Sequence, residues 1–257
     1  MAPDSVDDRY EGCRDAALKE VVESGLLRDE LAASPEFKKA WTAKKDCPLV
    51  VPGGLKEHAQ ALLAYAWGGE EFRDMFNQAV KTMGRNQSFP FRSLHFLLMD
   101  AMTLFQEKGV CKTVYHLASH KYSAQKGAKV RLGGFTMASS DRSLLLESLD
   151  ANGKVLFNIT SCFVLNLDKQ TCGGDDDVRM LLSPSEEYTV DDVRMVPESN
   201  DDYSHTWITL KHSKFTSSHN CSFGPENKGH GVKGSSTQVL ACMWAVYLMA
   251  AVLGLFN

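Results

Sequence analysis

The spacing of apolar residues changes once along this chain, near Cys111, and that change restricts the fold more than any motif does. Before it, apolar positions recur every three to four residues. Ser93 to Glu107 sets Leu94, Leu97, Leu98, Ala101, Met102 and Phe105 along one stripe of a helix. Phe72 to Met83 does the same with Phe72, Met75, Phe76 and Val80, and His58 to Trp67 with Leu62, Leu63, Tyr65 and Ala66. Ser34-Pro35-Glu36 is a cap followed by proline at the first helical position, and it opens a helix through about Lys45. An earlier helical segment starts at Asp7 or Asp8 and runs to about Glu23. After Cys111 short β-type runs take over at 112–117, 129–136, 155–164, 178–182, 187–196 and 205–212, separated by Gly, Ser and Asp. Helices first and strands second predict an α+β domain with segregated layers. No linker divides two cores, so one domain is expected over residues 1–215. His95, within the strongest helix, is expected to be a packed or polar-edge histidine rather than a ligand.

The C-terminus poses a separate problem. Val239 to Phe256 is an uncharged apolar run followed only by Asn257, and no basic residue flanks it as in a membrane span. Residues 216–238 form a polar stalk rich in small residues. Small residues, a polar spacer and a terminal apolar tail make the pattern of a GPI-attachment signal, in which 239–257 would be removed. A tail-anchor helix is the competing reading. The start, MAPDSVDDRY, has no apolar signal-peptide core, although a GPI anchor needs the secretory path. A truncated start is therefore expected. Outside the tail stand Cys13, Cys47, Cys111, Cys162, Cys172 and Cys221, enough for three disulfides. Glycosylation sequons occur at Asn86, Asn158 and Asn220. Together these favour the extracellular face of the plasma membrane. The net charge of -4 gives no basic face for nucleic acid. No phosphate-cradling glycine loop, HExxH or paired CxxC occurs, so no metal is expected.

Several stretches resemble the vertebrate ecto-mono-ADP-ribosyltransferases, the GPI-anchored group that modifies arginine. They are APDSVDDRYEGC (2–13), ALLAYAW (61–67), FNQAVK (76–81), FPFRSLHFLLMDAM (89–102), VYHLA (114–118), KVRLGGF (129–135), FNITSC (157–162) and SPSEEYTV (183–190), with Cys221 after them. The resemblance implies an N-terminal helical region followed by a strand-rich core of two packed sheets. It implies transfer of ADP-ribose from NAD or NADP to protein arginine. It also implies the disulfides Cys13–Cys221 and Cys111–Cys162, which leaves Cys47 and Cys172 as a third pair or as free thiols.

That reaction breaks a glycosidic bond through an oxocarbenium-like state, which a carboxylate stabilises. The resembled family supplies an Arg on the first strand, a Ser on the second and Glu-x-Glu on a later one. Here His116 stands for the Arg, Leu117 for the glycine after it, and Met137 for the first Ser of a Ser-x-Ser pair whose second member, Ser139, is kept. Without gaps, the Glu-x-Glu places fall on Asp177 and Arg179. With a loop two residues longer, Asp175 and Asp177 supply an Asp-x-Asp. The expectation is a weak or inactive member acting by surface binding. The alternative is an active arginine transferase or NAD glycohydrolase working through the Asp175–Asp177 cluster, with NAD as co-substrate.

Overall fold

The computed structural model describes residues 4–84, 88–118, 122–148, 153–172, 178–197, 204–218 and 220–221. From Arg14 to Phe105 the chain is mainly helical, as its periodicity requires: α1 (Arg14–Leu18) runs into a π-helical turn (Lys19–Glu23), then α2 (Leu26–Ala33), α3 (Pro35–Trp41), α4 (Lys56–Trp67), α5 (Glu70–Thr82) and α6 (Arg92–Phe105). The first helix does not start at Asp7 or Asp8 as expected, because both are buried and Asp7 pairs with Arg131. At the start of α3 the Ser34 hydroxyl accepts the Phe37 N–H at 3.1 Å, the expected cap. α6 is the axis of this layer, with every residue from Ser93 to Met102 buried.

The polar residues on that axis are therefore all paired. The Val6 carbonyl can only accept, so His95 donates from Nε2 (2.9 Å) and accepts the Tyr10 hydroxyl at Nδ1 (2.9 Å). Burial pushes the His95 pKa down to about 4. Asp100 accepts from Arg14 (2.6 Å) and from His58 Nε2 (2.8 Å).

The strands are β1 (Lys112–Ala118), β2 (Lys129–Arg131), β3 (Thr136–Ser139), β4 (Val155–Ser161), β5 (Val164–Asn166), β6 (Arg179–Leu182), β7 (Glu186–Pro197) and β8 (Ser204–Phe215), with α7 (Arg142–Ser148) and α8 (Leu167–Gln170) between them. They form one hydrogen-bonded sheet in the order β2-β7-β8-β4-β1-β3-β6-β5. The two sheets expected from the resemblance are thus joined. The joint is narrow: β1 meets β3 through the single register pair Tyr115↔Ser139, whereas β1 and β4 pair along seven residues. The two halves close on each other over a core of strand residues, among them Val114, Phe157, Met180, Leu182, Tyr188 and Leu210. A larger core lies against the helices and takes in Phe135, Leu165 and Leu181.

Two expected strands are split. The run 129–136 turns at Gly133, whose φ of 78° suits glycine, and the Gly133 carbonyl accepts the Ser5 hydroxyl at 2.6 Å. The run 155–164 bends after Ser161, whose hydroxyl donates to the buried carboxylate of Glu186 at 2.5 Å. That carboxylate also accepts from Cys162 N (2.8 Å), the Tyr188 hydroxyl (2.8 Å) and His212 Nδ1 (2.6 Å).

The N-terminal segment laces the domain together. Val6 N donates to Val80 O (2.7 Å), Asp7 pairs with Arg131 (3.0 Å), and Asp7 accepts from Ser218 N (2.9 Å). Cys13–Cys221 and Cys111–Cys162 are joined as the resemblance implies, and Cys47–Cys172 is the third pair. Cross-links of such span each remove on the order of 4 to 5 kcal/mol of unfolded-chain entropy. Asn158 lies half-buried in β4 between Tyr115 and Thr209. The exposed Asn220 amide clamps the Glu11 backbone (3.0 and 2.8 Å). Asn86, the tail and most of the stalk lie outside the described residues. Among the described residues no helix is long and apolar enough to cross a membrane.

Glu30 gives this layer a pH dependence. Its carboxylate accepts from Arg92 N (2.9 Å), from Ser93 N (3.1 Å) and from the Ser93 hydroxyl, yet burial outweighs these bonds and lifts its pKa to about 7. A raised carboxyl pKa contributes stability that is present below its unfolded value and lost as pH rises through the folded one. His95 acts in the opposite sense, losing stability as pH falls from 6.5 through about 4. Glu30→Gln should therefore gain stability relative to the parent as pH rises from 4.5 to about 7, with no further change above, in urea unfolding curves.

Candidate active site

A cleft of about 810 Å³ runs between α5 and the β1–β3 junction, with Tyr65, Asn77, Lys81, His116, Leu117 and Met137 on its walls. His116 projects from β1 and stacks on Phe157 of β4 (6.2 Å, 19°). Its Nδ1 donates to the Met137 carbonyl at 2.9 Å. Burial, reinforced by the nearby Lys81 charge, pushes its pKa below the ordinary 6.5, so the ring is neutral at pH 7.

The other site residues predicted from the sequence share a different face. Ser139 pairs with Arg179 and Met137 with Leu181 across β3 and β6, so Met137, Ser139 and Arg179 point together toward the helical layer. Tyr115 is level with Ser139 on β1, which turns its neighbour His116 the other way. His116 therefore reaches this group at Met137, whose carbonyl it bonds and with which it lines the cleft. The Ser139 hydroxyl is spent on a local turn, donating to Asp141 O (2.7 Å) and accepting Asp141 N (3.0 Å).

Arg179 is committed as well. Its guanidinium lies 4.5 Å from the Trp67 ring centroid and is ion-paired with the buried Asp168, whose carboxylate also accepts the Arg179 N–H at 2.8 Å. Lys44 approaches the same indole at 4.9 Å, and Trp67 Nε1 donates to Thr171 O at 2.9 Å. α8 carries Asp168 into place. Its only sequence signal is Asn166, whose side chain caps Lys169 N at 2.8 Å. Asp175 and Asp177 lie outside the described residues.

Two cleft residues escaped the sequence reading. Asn77 donates to the Tyr65 hydroxyl (3.1 Å), which donates to Phe135 O (2.8 Å), while Asn77 Oδ1 is buried without a partner. Lys81, one turn further along α5, has no ion-pair partner among the described residues. Their signal was present: both follow by one residue the core positions Phe76 and Val80, so they share a strip beside the apolar stripe. The cleft thus offers a cation, which suits a polyanion. Cys162, Glu186 and His212 lie close enough together to suggest a metal, but the sulfur is bound in a disulfide and the carboxylate already accepts four hydrogen bonds.

The sequence model of NAD:arginine ADP-ribosyltransferases matches residues 1–218. The chain belongs to that family. The erythroblast NAD(P)(+)–arginine ADP-ribosyltransferase of Gallus gallus is 31% identical over 248 residues, covering 89% of this chain and 76% of the relative. Ecto-ADP-ribosyltransferase 5 of Homo sapiens is 28% identical over 251 residues, covering 90% and 82%. The crystal structure of the mono-ADP-ribosyltransferase ART2.2 matches with a TM-score of 0.70 at 26% identity, covering 87% of this chain and 97% of that one. A mutant of ART2.2 in complex with NAD gives 0.71 at 25% identity, covering 87% and 98%.

In this member of the family the Arg179–Asp168 pair is measurable by a double-mutant cycle. Asp168→Asn and Arg179→Gln should each destabilise the domain. The double variant should lose less than the sum, by about 1–2 kcal/mol, below the 3–5 of fully buried pairs because Arg179 is partly exposed.

Proposed function

We propose that this chain is a cell-surface ADP-ribosyltransferase whose transfer chemistry is weak or lost and which acts through binding. The observation that carries this reading is the Arg179–Asp168–Trp67 cluster. In the ungapped resemblance Arg179 occupies the place of the catalytic Glu. Cleavage of the nicotinamide–ribose bond builds positive charge on the ribose, which a carboxylate stabilises and a guanidinium opposes. Like charges about 4 Å apart repel by ~1 kcal/mol in water and ~4 kcal/mol near a protein surface, so a bare guanidinium slows the step by roughly 5- to 1000-fold, and its pairing with Asp168 places the effect toward the lower end. Met137 in place of Ser removes a hydroxyl, and the neutral His116 in place of Arg removes a cation.

Binding is better supported than chemistry. Lys81 supplies positive charge for a pyrophosphate where His116 does not. NAD is therefore the expected ligand, and protein arginine is the acceptor if any transfer occurs. The polar stalk and apolar tail are read as a GPI anchor on the extracellular face, with Asn86, Asn158 and Asn220 as glycan acceptors. A mouse relative, 35% identical over 161 residues, is a GPI-linked NAD(P)(+)–arginine ADP-ribosyltransferase.

The purified chain, incubated with labelled NAD and agmatine, should transfer no more label than a heat-inactivated control. Clear transfer above that control would overturn the reading in favour of the Asp175–Asp177 cluster. NAD should still bind, about tenfold more weakly after Lys81→Ala, as calorimetry would show. The combined variant H116R, M137S, D177E and R179E should gain transfer only when D168N is added, because Asp168 would otherwise repel the new carboxylate. Release from cells by a phosphatidylinositol-specific phospholipase tests the anchor.

A further inference from the structure

A second cavity, of about 540 Å³, lies beside the cleft and shares Lys81, His116 and Thr136 with it. Its floor is apolar, built from Val130, Leu132, Phe157 and Leu210. At its mouth stands Tyr122, edge-on to Phe157 at 5.4 Å and half exposed, a large aromatic surface left facing solvent. Its polar end differs in kind. Arg131 lines it with a side chain only 8% exposed. One terminal nitrogen of Arg131 reaches Asp7 (3.0 Å) and Pro184 O (3.5 Å), but Nε is buried with no acceptor. Lys81 adds an amine. The acid on this wall, Asp4, is exposed, so water screens its charge more than that of the buried guanidinium.

An apolar floor, an aromatic edge at the mouth and two cationic side chains at the polar end describe one ligand chemistry. We propose that this cavity binds a small aromatic acid: a planar ring lying against Phe157 and Tyr122, with its carboxylate directed to Lys81 and Arg131. The ring gains burial and edge-to-face contact. The carboxylate gains charge-assisted bonds that a neutral group cannot replace. The inference is independent of whether the chain performs transfer, because neither Arg179 nor Ser139 lines this wall.

Calorimetric titration of the full chain with naphthoate and with its uncharged amide tests the proposal. Naphthoate should bind saturably and the amide about tenfold more weakly, the difference made by one charge-assisted bond. Tyr122→Ala, at an exposed position that the fold tolerates, should weaken naphthoate about fivefold. Arg73 lines the neighbouring cleft and not this cavity, so Arg73→Ala should leave the affinity unchanged. Equal binding of acid and amide, an unaffected Tyr122→Ala variant, or loss of binding in Arg73→Ala would each overturn it.

Discussion

The buried carboxylate of Glu186 is the constraint on which the sheet depends. A charge removed from water costs several kcal/mol unless donors replace its hydration. Here four do, from the end of β4, from β7 and from β8. Meeting that charge fixes where β4 ends, beside the Cys111–Cys162 bridge, and how β7 aligns with β8. β4 in turn sets β1 residue by residue. The position of His116, and through the β1–β3 joint that of Ser139 and Arg179, follows from this chain of registers.

Much of the fold was legible because its helices are amphipathic and long. α4, α5 and α6 lie within about two residues of their apolar stripes. Elements that depend on distant partners were not legible. α8 is four residues long and is held by the contacts of Asp168, which no local pattern announces. The split of 129–136 depends on a hydrogen bond from Ser5, far away in sequence. In the site, the identities at 116, 137 and 179 were readable, but their mutual arrangement was not. That His116 faces away from Ser139 and Arg179 is a matter of strand register. Lys81 and Asn77 were passed over because they sit in a helix whose stripe reads as core.

The residues proposed to depart from the family's motif are not loose ends in the fold. Met137 packs against the helical core, Ser139 closes a turn, and Arg179 is held by a carboxylate and an indole. Each has a local structural role, so the domain keeps its architecture with no demand that these side chains do chemistry. This separates the two kinds of information in the sequence: the architecture resides in buried registers, and the reaction in a few side chains at strand ends.

The strand order has a consequence for how the protein is made. β8 is the last of the described strands to be synthesised, yet it lies inside the sheet between β7 and β4. Until residues 204–215 exist, both neighbours present open edges, and the N-terminal segment lacks Ser217, Ser218 and Cys221 to hold it. The helical layer is the part that can organise while synthesis continues. The strands must wait, with unpaired backbone able to pair with the wrong chain. Folding of this domain is therefore a late event, and the nascent chain needs protection from association through most of its synthesis.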